Sequence, residues 1–279
     1  MNEPLSIKIF LAKGSASSLR TAEISNWSGK AIACSRKELD ELAKREEAIR
    51  PGVYFLIGND IETGEPSAYV GEAEEVAKRL KQHISKEFWN QVVAFVSKDE
   101  NLTKAHIKYL EGKLIDLGNK AGKGVIQNNQ SSGAKLPESD QAEMDIFLDR
   151  ILKILPVLGT SLFSIPSKSG KAKDENLMCK IKGLVAYGNR SENGFLVYKG
   201  SKAVLEDRES AKRNRIRRQI LIDKGILVQQ DNCYLFTKDH EFTSPSLAAS
   251  VICGGATNGL TKWKTKEGKT LKALESGQD

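Results

Sequence analysis

Four cysteines, three histidines and no long apolar run set the first limits on this chain of 279 residues. Cys34, Cys179, Cys233 and Cys253 are far apart in sequence and form no metal-spaced pair. They read as reduced thiols of a cytoplasmic protein, not as a disulfide framework. His83, His106 and His240 are too few to build a rich zinc site without cysteine help. Apolar stretches are short, such as residues 92 to 96, and none approaches the roughly 20 residues a membrane span needs. The start, MNEPLSIKIFLAKG, has no basic segment before an apolar run and no small-residue cleavage site, so no secretion signal is expected.

What is present is a soluble-type composition with uneven charge. A hydrophobic share of 39% is enough to build cores, which argues against wholesale disorder. The chain holds 43 Lys plus Arg against 36 Asp plus Glu, a net charge of +7 and a pI near 9.1. Residues 1 to 159 carry 22 basic and 23 acidic side chains, and residues 160 to 279 carry 21 and 13. All of the surplus is therefore C-terminal. Such asymmetry suggests two domains and a polyanionic partner.

Patterning along the chain predicts an α+β protein. Residues 7–11 and 20–25 read as short strands, and Ser35 reads as the cap of a helix running to about Arg45. GVYFLI at 52–57 and SAYV at 67–70 read as strands joined by a turn-rich segment. Gly71 is expected to break the second strand and open a helix over 72–84. Residues 90–97 read as a third strand. The clearest helix spans 103–117, with Ile107, Leu110, Leu114 and Leu117 as its apolar stripe, and Gly118 and Asn119 are expected to stop it. A further amphipathic helix covers 139–155, and SIPSKSGKAKDE at 164–175 reads as a linker.

Beyond the linker, residues 177–187 and 195–198 read as a strand pair, and 208–222 as a basic helix. Residues 226–229 and 233–236 read as a hairpin around Asp231 and Asn232, and 244–251 as a helix with Ser244 as cap. The expected organisation is an N-terminal β-rich extension (1–50), a domain over 51–160, a linker (161–175) and a smaller basic α+β accessory domain (176–279). The central domain is expected to hold a small antiparallel three-stranded sheet flanked by helices.

Two tripeptides carry the chemistry. GVY (Gly52, Val53, Tyr54) and YVG (Tyr69, Val70, Gly71) fall on neighbouring strands, and antiparallel pairing would bring the tyrosines close. Arg79 and His83 are four apart on the following predicted helix and would share a face. Glu111 lies off the apolar stripe of the 103–117 helix. Taken singly, each has a bland explanation: strand aromatics, a solvated helix face, a surface ion pair with Lys104 or Lys108. Together and in this order they resemble the GIY-YIG nuclease superfamily, over roughly residues 50 to 130. Valine replaces isoleucine in both motifs, which conserves shape.

The resemblance implies a Mg²⁺- or Mn²⁺-dependent endonuclease acting on DNA phosphodiesters. It implies Glu111 as metal ligand, Arg79 as stabiliser of charge on the phosphoryl oxygens, and Tyr54 as the group that orients or deprotonates water. Tyr69 and His83 would position groups or relay protons, and Asn128 or Asn129 would match a late asparagine, with Asn129 as the candidate site residue. The wider chain also looks like bacterial proteins of this superfamily that carry a C-terminal domain of unassigned function. The string SPSLAASVICGGATNGLTKWKTKEGKTL (244–271) is similar besides to a small module fused to restriction-associated methylases.

The chemistry is reasonable on its own terms. A phosphodiester is anionic, so attack by water needs cations on its oxygens, an activated water and help for the leaving oxygen. Mg²⁺ keeps several waters and accepts as few as one carboxylate. Lys212, Arg213, Arg215, Arg217 and Arg218 on the basic helix are the expected contacts to a nucleic-acid backbone, with Ile216 and Ile220 as anchors on another face. Few aromatics interleave there, which argues against base stacking. Nothing in the sequence discriminates DNA from RNA. Double-strand cutting from one site implies a homodimer or a partner protein. Rival readings are a non-catalytic nucleic-acid-binding protein and a protein-interaction adaptor in a DNA defence, modification or repair system.

Overall fold

The computed structural model describes residues 4–62, 64–128, 133–164, 177–191, 194–208 and 211–276. The chain forms two compact units, Met1–Ile165 and Pro166–Asp279. The division falls inside the stretch expected as linker, most of which lies outside the described residues.

The first unit is built on one sheet of β1 (Ile7–Leu11), β2 (Arg20–Ile24), β3 (Gly29–Ser35), β4 (Gly52–Asn59), β5 (Pro66–Ala73), β6 (Trp89–Ser97) and β7 (Val125–Ile126). Their spatial order is β1-β2-β3-β6-β4-β5-β7, antiparallel throughout except for the parallel β5–β7 pair. The sheet is thus larger than the three strands the sequence predicts. The N-terminal strands do not stand apart: β3 pairs with β6 from Gly29↔Ser97 to Ser35↔Gln91. The sequence reading misses β3 because GKAIACS is rich in small residues of weak strand preference. Burial between two layers holds it in place.

Both faces of the sheet are covered. Val53, Phe55, Ile57, Val93 and Phe95 pack on one side with Ile107, Leu110 and Leu114 of α3 (Lys104–Ala121) and with Met144, Phe147 and Ile151 of α4 (Glu138–Ile154). On the other side Tyr54, Leu56, Val92, Ala94 and Val96 meet Leu39 and Leu42 of α1 (Leu39–Ala43) and Val76 and Leu80 of α2 (Val76–Lys81). Two-sided burial is why 52–57 is apolar without alternation. Each such side chain contributes about 1.5–3 kcal/mol by leaving water.

Helix limits differ from expectation for local reasons. The helix expected after Ser35 is a broken run, with 3₁₀ turns at Arg36–Glu38 and Glu46–Ile49 around α1, and Ser35 makes no side-chain cap bond. α2 is short because Glu72 still belongs to β5. α3 runs through Gly118 and Asn119 and ends where Gly122 adopts a left-handed conformation (φ 65°). At its start Thr103 Oγ1 accepts from the His106 amide, and His106 Nδ1 accepts from the Thr103 amide, so His106 is a capping residue.

The second unit holds β8 (Leu177–Ile181), β9 (Leu184–Ser191), β10 (Gly194–Val197), β11 (Lys202–Val204), α5 (Lys212–Asp223), β12 (Leu227–Gln230), β13 (Cys233–Phe236), β14 (His240–Phe242), α6 (Pro245–Cys253), α7 (Gly259–Lys262) and α8 (Leu271–Ser276). One sheet has the order β14-β10-β9-β8 and the other β11-β13-β12. The strand predicted over 177–187 is a hairpin, turned at Lys182 and Gly183, both with positive φ (45° and 78°). α6 begins as expected: Ser244 Oγ accepts from the Leu247 amide at 3.1 Å, with Pro245 in the first turn. Cys179 and Cys253, 74 residues apart, bring their buried sulfurs within 3.7 Å, and all four cysteines are free thiols. No described helix is long and apolar enough to cross a membrane.

Candidate active site

The register of β4 on β5 decides which groups meet. Tyr54 pairs with Gly71, and Leu56 pairs with Tyr69. The two tyrosines are therefore diagonal neighbours on one face, with ring centroids 6.3 Å apart, rather than direct partners. Gly71 does not break the strand, which continues to Ala73. Its role is steric: a Cβ there would lie 2.3 Å from Cζ and Oη of Tyr54. Glycine at 71 makes the seat for the Tyr54 phenol. The glycine of the other tripeptide is confined in the same way, since a Cβ on Gly52 would fall 2.3 Å from the Phe95 carbonyl oxygen.

His83 does not share a helix face with Arg79. α2 ends at Lys81, and His83 lies in the following turn, its amide donating to the Leu80 carbonyl. The buried imidazole reaches back so that Nε2 lies 2.7 Å from the Tyr54 hydroxyl. Its centroid is 5.1 Å from that of Tyr69. Trp89 Nε1 donates to the His83 carbonyl at 3.0 Å and fixes the turn. Lys86 places its ammonium 3.9 Å from the centroid of the Tyr69 ring. Arg79 is exposed along its stem, donates to Gln82 Oε1 at 2.7 Å, and acts on Tyr54 and Tyr69 by hydrogen bonding and charge.

These neighbours set the protonation states. Burial raises the Tyr54 pKa, the charges of Tyr69 and Glu111 add to this, and Arg79 opposes it. Burial and Glu111 raise Tyr69 against the same opposition from Arg79. Burial pushes His83 down to about 4, helped by the charges of Lys86 and Arg79. At neutral pH the cluster thus holds two phenols, a neutral imidazole and a guanidinium. His83 Nδ1 is buried and has no hydrogen-bond partner.

Glu111, half-buried on α3, is close enough to act on both tyrosines. Beside the cluster an open groove of about 410 Å³ is lined by Glu72, Glu74, Glu75, Lys78, Arg79, Gln82 and Lys104. Its carboxylates and cations balance, and Lys104 pairs with Glu74 at 2.9 Å. Among the described residues no three His, Cys, Asp or Glu side chains gather to hold a metal. A single carboxylate such as Glu111 does not suit zinc, but it suits Mg²⁺ or Mn²⁺, whose other ligands are water and substrate oxygens.

Asn128 is a tie, not a reacting group. Its amide accepts from the Val70 N–H (2.9 Å) and donates to the Val70 carbonyl (2.7 Å), as a strand residue would. It holds the segment of β5 between Tyr69 and Gly71. Asn129 lies outside the described residues. The sequence reading missed the buried turn that aims His83, and it missed Lys86. The turn carries no periodic signal, and a lone lysine in a loop carries none either.

On α5 the five basic residues are not equivalent. Lys212, Arg213 and Arg215 are exposed and Arg217 is partly so, but Arg218 is almost fully buried. Its guanidinium donates twice to the Val251 carbonyl (2.9 and 2.6 Å) and once to the Leu205 carbonyl (3.2 Å), and it pairs with Asp207 at 3.3 Å. It cannot contact a nucleic acid. Arg218 and Leu221 anchor the helix, where the sequence suggests Ile216 and Ile220, which are only partly buried.

Residues 177–275, about a third of the chain, match the family described as Domain of unknown function (DUF4357). That match does not extend to residues 50–130, where the nuclease resemblance rests on its own residues. No curated protein matches the chain, and no solved structure does.

Proposed function

We propose that the first unit hydrolyses phosphodiester bonds of DNA in the way the GIY-YIG resemblance implies, with Mg²⁺ or Mn²⁺ as cofactor. One observation carries the reading: Tyr54, Tyr69, Arg79, His83 and Glu111 come from two strands, a helix, a turn and a second helix, yet act on one another. Glu111 would hold the metal, which when bound supplies positive charge to the phosphate oxygens. Arg79 would neutralise a phosphoryl oxygen through its planar fork.

The Tyr54 proton has a defined destination. With Arg79 donating to the phenol oxygen and His83 in the tautomer protonated at Nδ1, that phenol donates to Nε2. As the attacking water forms its bond to phosphorus it gives a proton to the Tyr54 oxygen, the tyrosine's own proton passes to His83, and the P–O bond to the leaving sugar oxygen breaks, that oxygen taking a proton from solvent. No free phenolate forms, which suits a phenol whose pKa burial has raised. Burial opposes an imidazolium most, and a bound phosphate offsets the Lys86 and Arg79 charges that add to it. Tyr69 stays protonated and can donate to a phosphoryl oxygen.

The test is incubation of plasmid DNA with the protein and Mg²⁺. Cleavage is expected, with a drop of about 10²–10⁴-fold in Tyr54→Phe and loss in Glu111→Ala. Undiminished nicking by Glu111→Ala would defeat the assignment. DNA binding without any cutting would favour a non-catalytic binder.

A further inference from the structure

The second unit contains a pocket whose charge is of one sign. It is lined by Met178, Lys180, Thr257, Asn258, Thr261, Lys262, Lys264, Thr265, Lys266 and Gly268, with a volume of about 370 Å³. Four of these are lysines and none is a carboxylate. Among the described residues, none of the four lysines forms an ion pair. Glu267, between Lys266 and Gly268 in the same turn, hydrogen-bonds to Thr265. The hydroxyls of Thr257 and Thr261 are spent on the carbonyls of Gly255 and Asn258, so the charged donors facing the pocket are the four ammonium groups.

A helix end, a bridge and a turn gather them. Trp263 and Thr265 are buried on either side of exposed Lys264, with Lys262 ending α7 before them and Lys266 in the turn after them. The Trp263 indole donates to the Pro245 carbonyl at 3.0 Å and packs 4.4 Å from the Phe195 ring. Lys262, Lys264 and Lys266 all line the pocket. Lys264 is locked to β8 by reciprocal bonds with Met178 (2.7 and 3.0 Å), which brings Lys180 of the same strand to the same side. On the other flank Lys264 bridges Thr270, and Gly268 with φ 92° closes the intervening turn.

Crowding like charges in one pocket costs stability, and a cleft lined by one sign of charge concentrates its field on an incoming counterion. Four ammonium groups outnumber the charge of one phosphate, so the fitting ligand has repeated charges. We infer that this pocket is a binding site for the phosphodiester backbone of a nucleic acid. The inference relies on the hydrolytic reading only for its choice of polymer. It supplies a cationic grip that the charge-balanced groove of the first unit lacks. The site shares no lining residue with α5.

Fluorescence anisotropy of the full chain, with labelled DNA duplex, single-stranded DNA and RNA over a range of salt, tests it. The triple variant K262E/K264E/K266E should bind at least about tenfold more weakly and lower the slope of log affinity against log salt by about 2–3. Lys→Arg at the same positions should preserve binding. The control K199E/K202E/K238E makes the same change in net charge at exposed sites of the same unit and should have little effect. Circular dichroism checks that each variant is folded, and Lys→Gln replaces Lys→Glu if it is not. Equal weakening by the control, unchanged slope in the pocket variant, or binding only to anionic phospholipid vesicles each overturns the inference. Pocket-dependent binding without any cleavage supports it while defeating the hydrolytic reading, so the two fail separately.

Discussion

The two units handle charge in opposite ways. Residues 1 to 159 are almost neutral overall, and their chemistry is packed at short range around a buried phenol 2.7 Å from an imidazole. Residues 160 to 279 carry the whole cationic surplus, with the pocket lysines on an exposed rim. Buried groups interact strongly and shift one another's protonation, but only over a few ångströms. Exposed lysines interact weakly one by one, yet their field reaches across a Debye length of about 8–10 Å and adds up along a polyanion. The contrast suits one unit to bond chemistry and the other to grip.

Arg218 is the sharpest way to break that contrast, because it places a buried, short-range cation in the exposed-charge unit. Arg218→Ala should destabilise the second unit by about 3–5 kcal/mol, since it leaves the Val251 and Leu205 carbonyls without the guanidinium and Asp207 without its cation, with the Asn214 amide still donating to that carboxylate. Urea titration should show one transition moving and the other fixed. Equal movement of both would mean that the units unfold together.

A titration compares the units next. Each contains a buried histidine, His83 and His240, and burial pushes both down to about 4. Above the unfolded value of about 6.5 both states are neutral and the folded state keeps its full advantage. As pH falls from about 6.5 towards 4 the unfolded chain takes up protons that the folded chain refuses, so stability falls by roughly 3 kcal/mol per histidine. His83→Gln should flatten this dependence in the first unit and His240→Phe in the second. A thermal melt series that is flat over that window would contradict both assignments.

The smallest effect concerns geometry within the first unit. Gly71→Ala should cost about 1–3 kcal/mol by driving a methyl group into the Tyr54 ring. It should also lower cleavage by more than its effect on stability. Full activity in the Gly71→Ala variant would show that the Tyr54 position is not critical.

Much of the second unit was legible locally. Ser244-Pro245 marks the start of α6, and the turn at Asp231 and Asn232 falls where expected. The Lys182-Gly183 turn was equally local but hid inside a run that reads as one strand. β3 and β7 were not legible, because what makes them strands is a partner far along the chain, Gly29↔Ser97 in one case and Ser67↔Val125 in the other. The end of α3 was misjudged because Gly118 stays helical: its bare Cα makes room for Ile126 and Phe163, and the left-handed residue is Gly122.

The residue types of the candidate site, the order of the helices and strands that carry it, and the C-terminal excess of charge all follow from the amino-acid order alone, since they depend on composition and on periods of two and of 3.6 residues. Which of those residues meet follows only from the folded chain. A single register, Tyr54 against Gly71, aligns the phenol with His83, and the bridge of Lys264 to Met178 and Thr270 brings lysines from a helix end, a bridge and a turn to one rim. Folding also buries Arg218, which sequence patterning places among the exposed cations. Burial and register are properties of contacts between distant segments, and local patterning does not encode them.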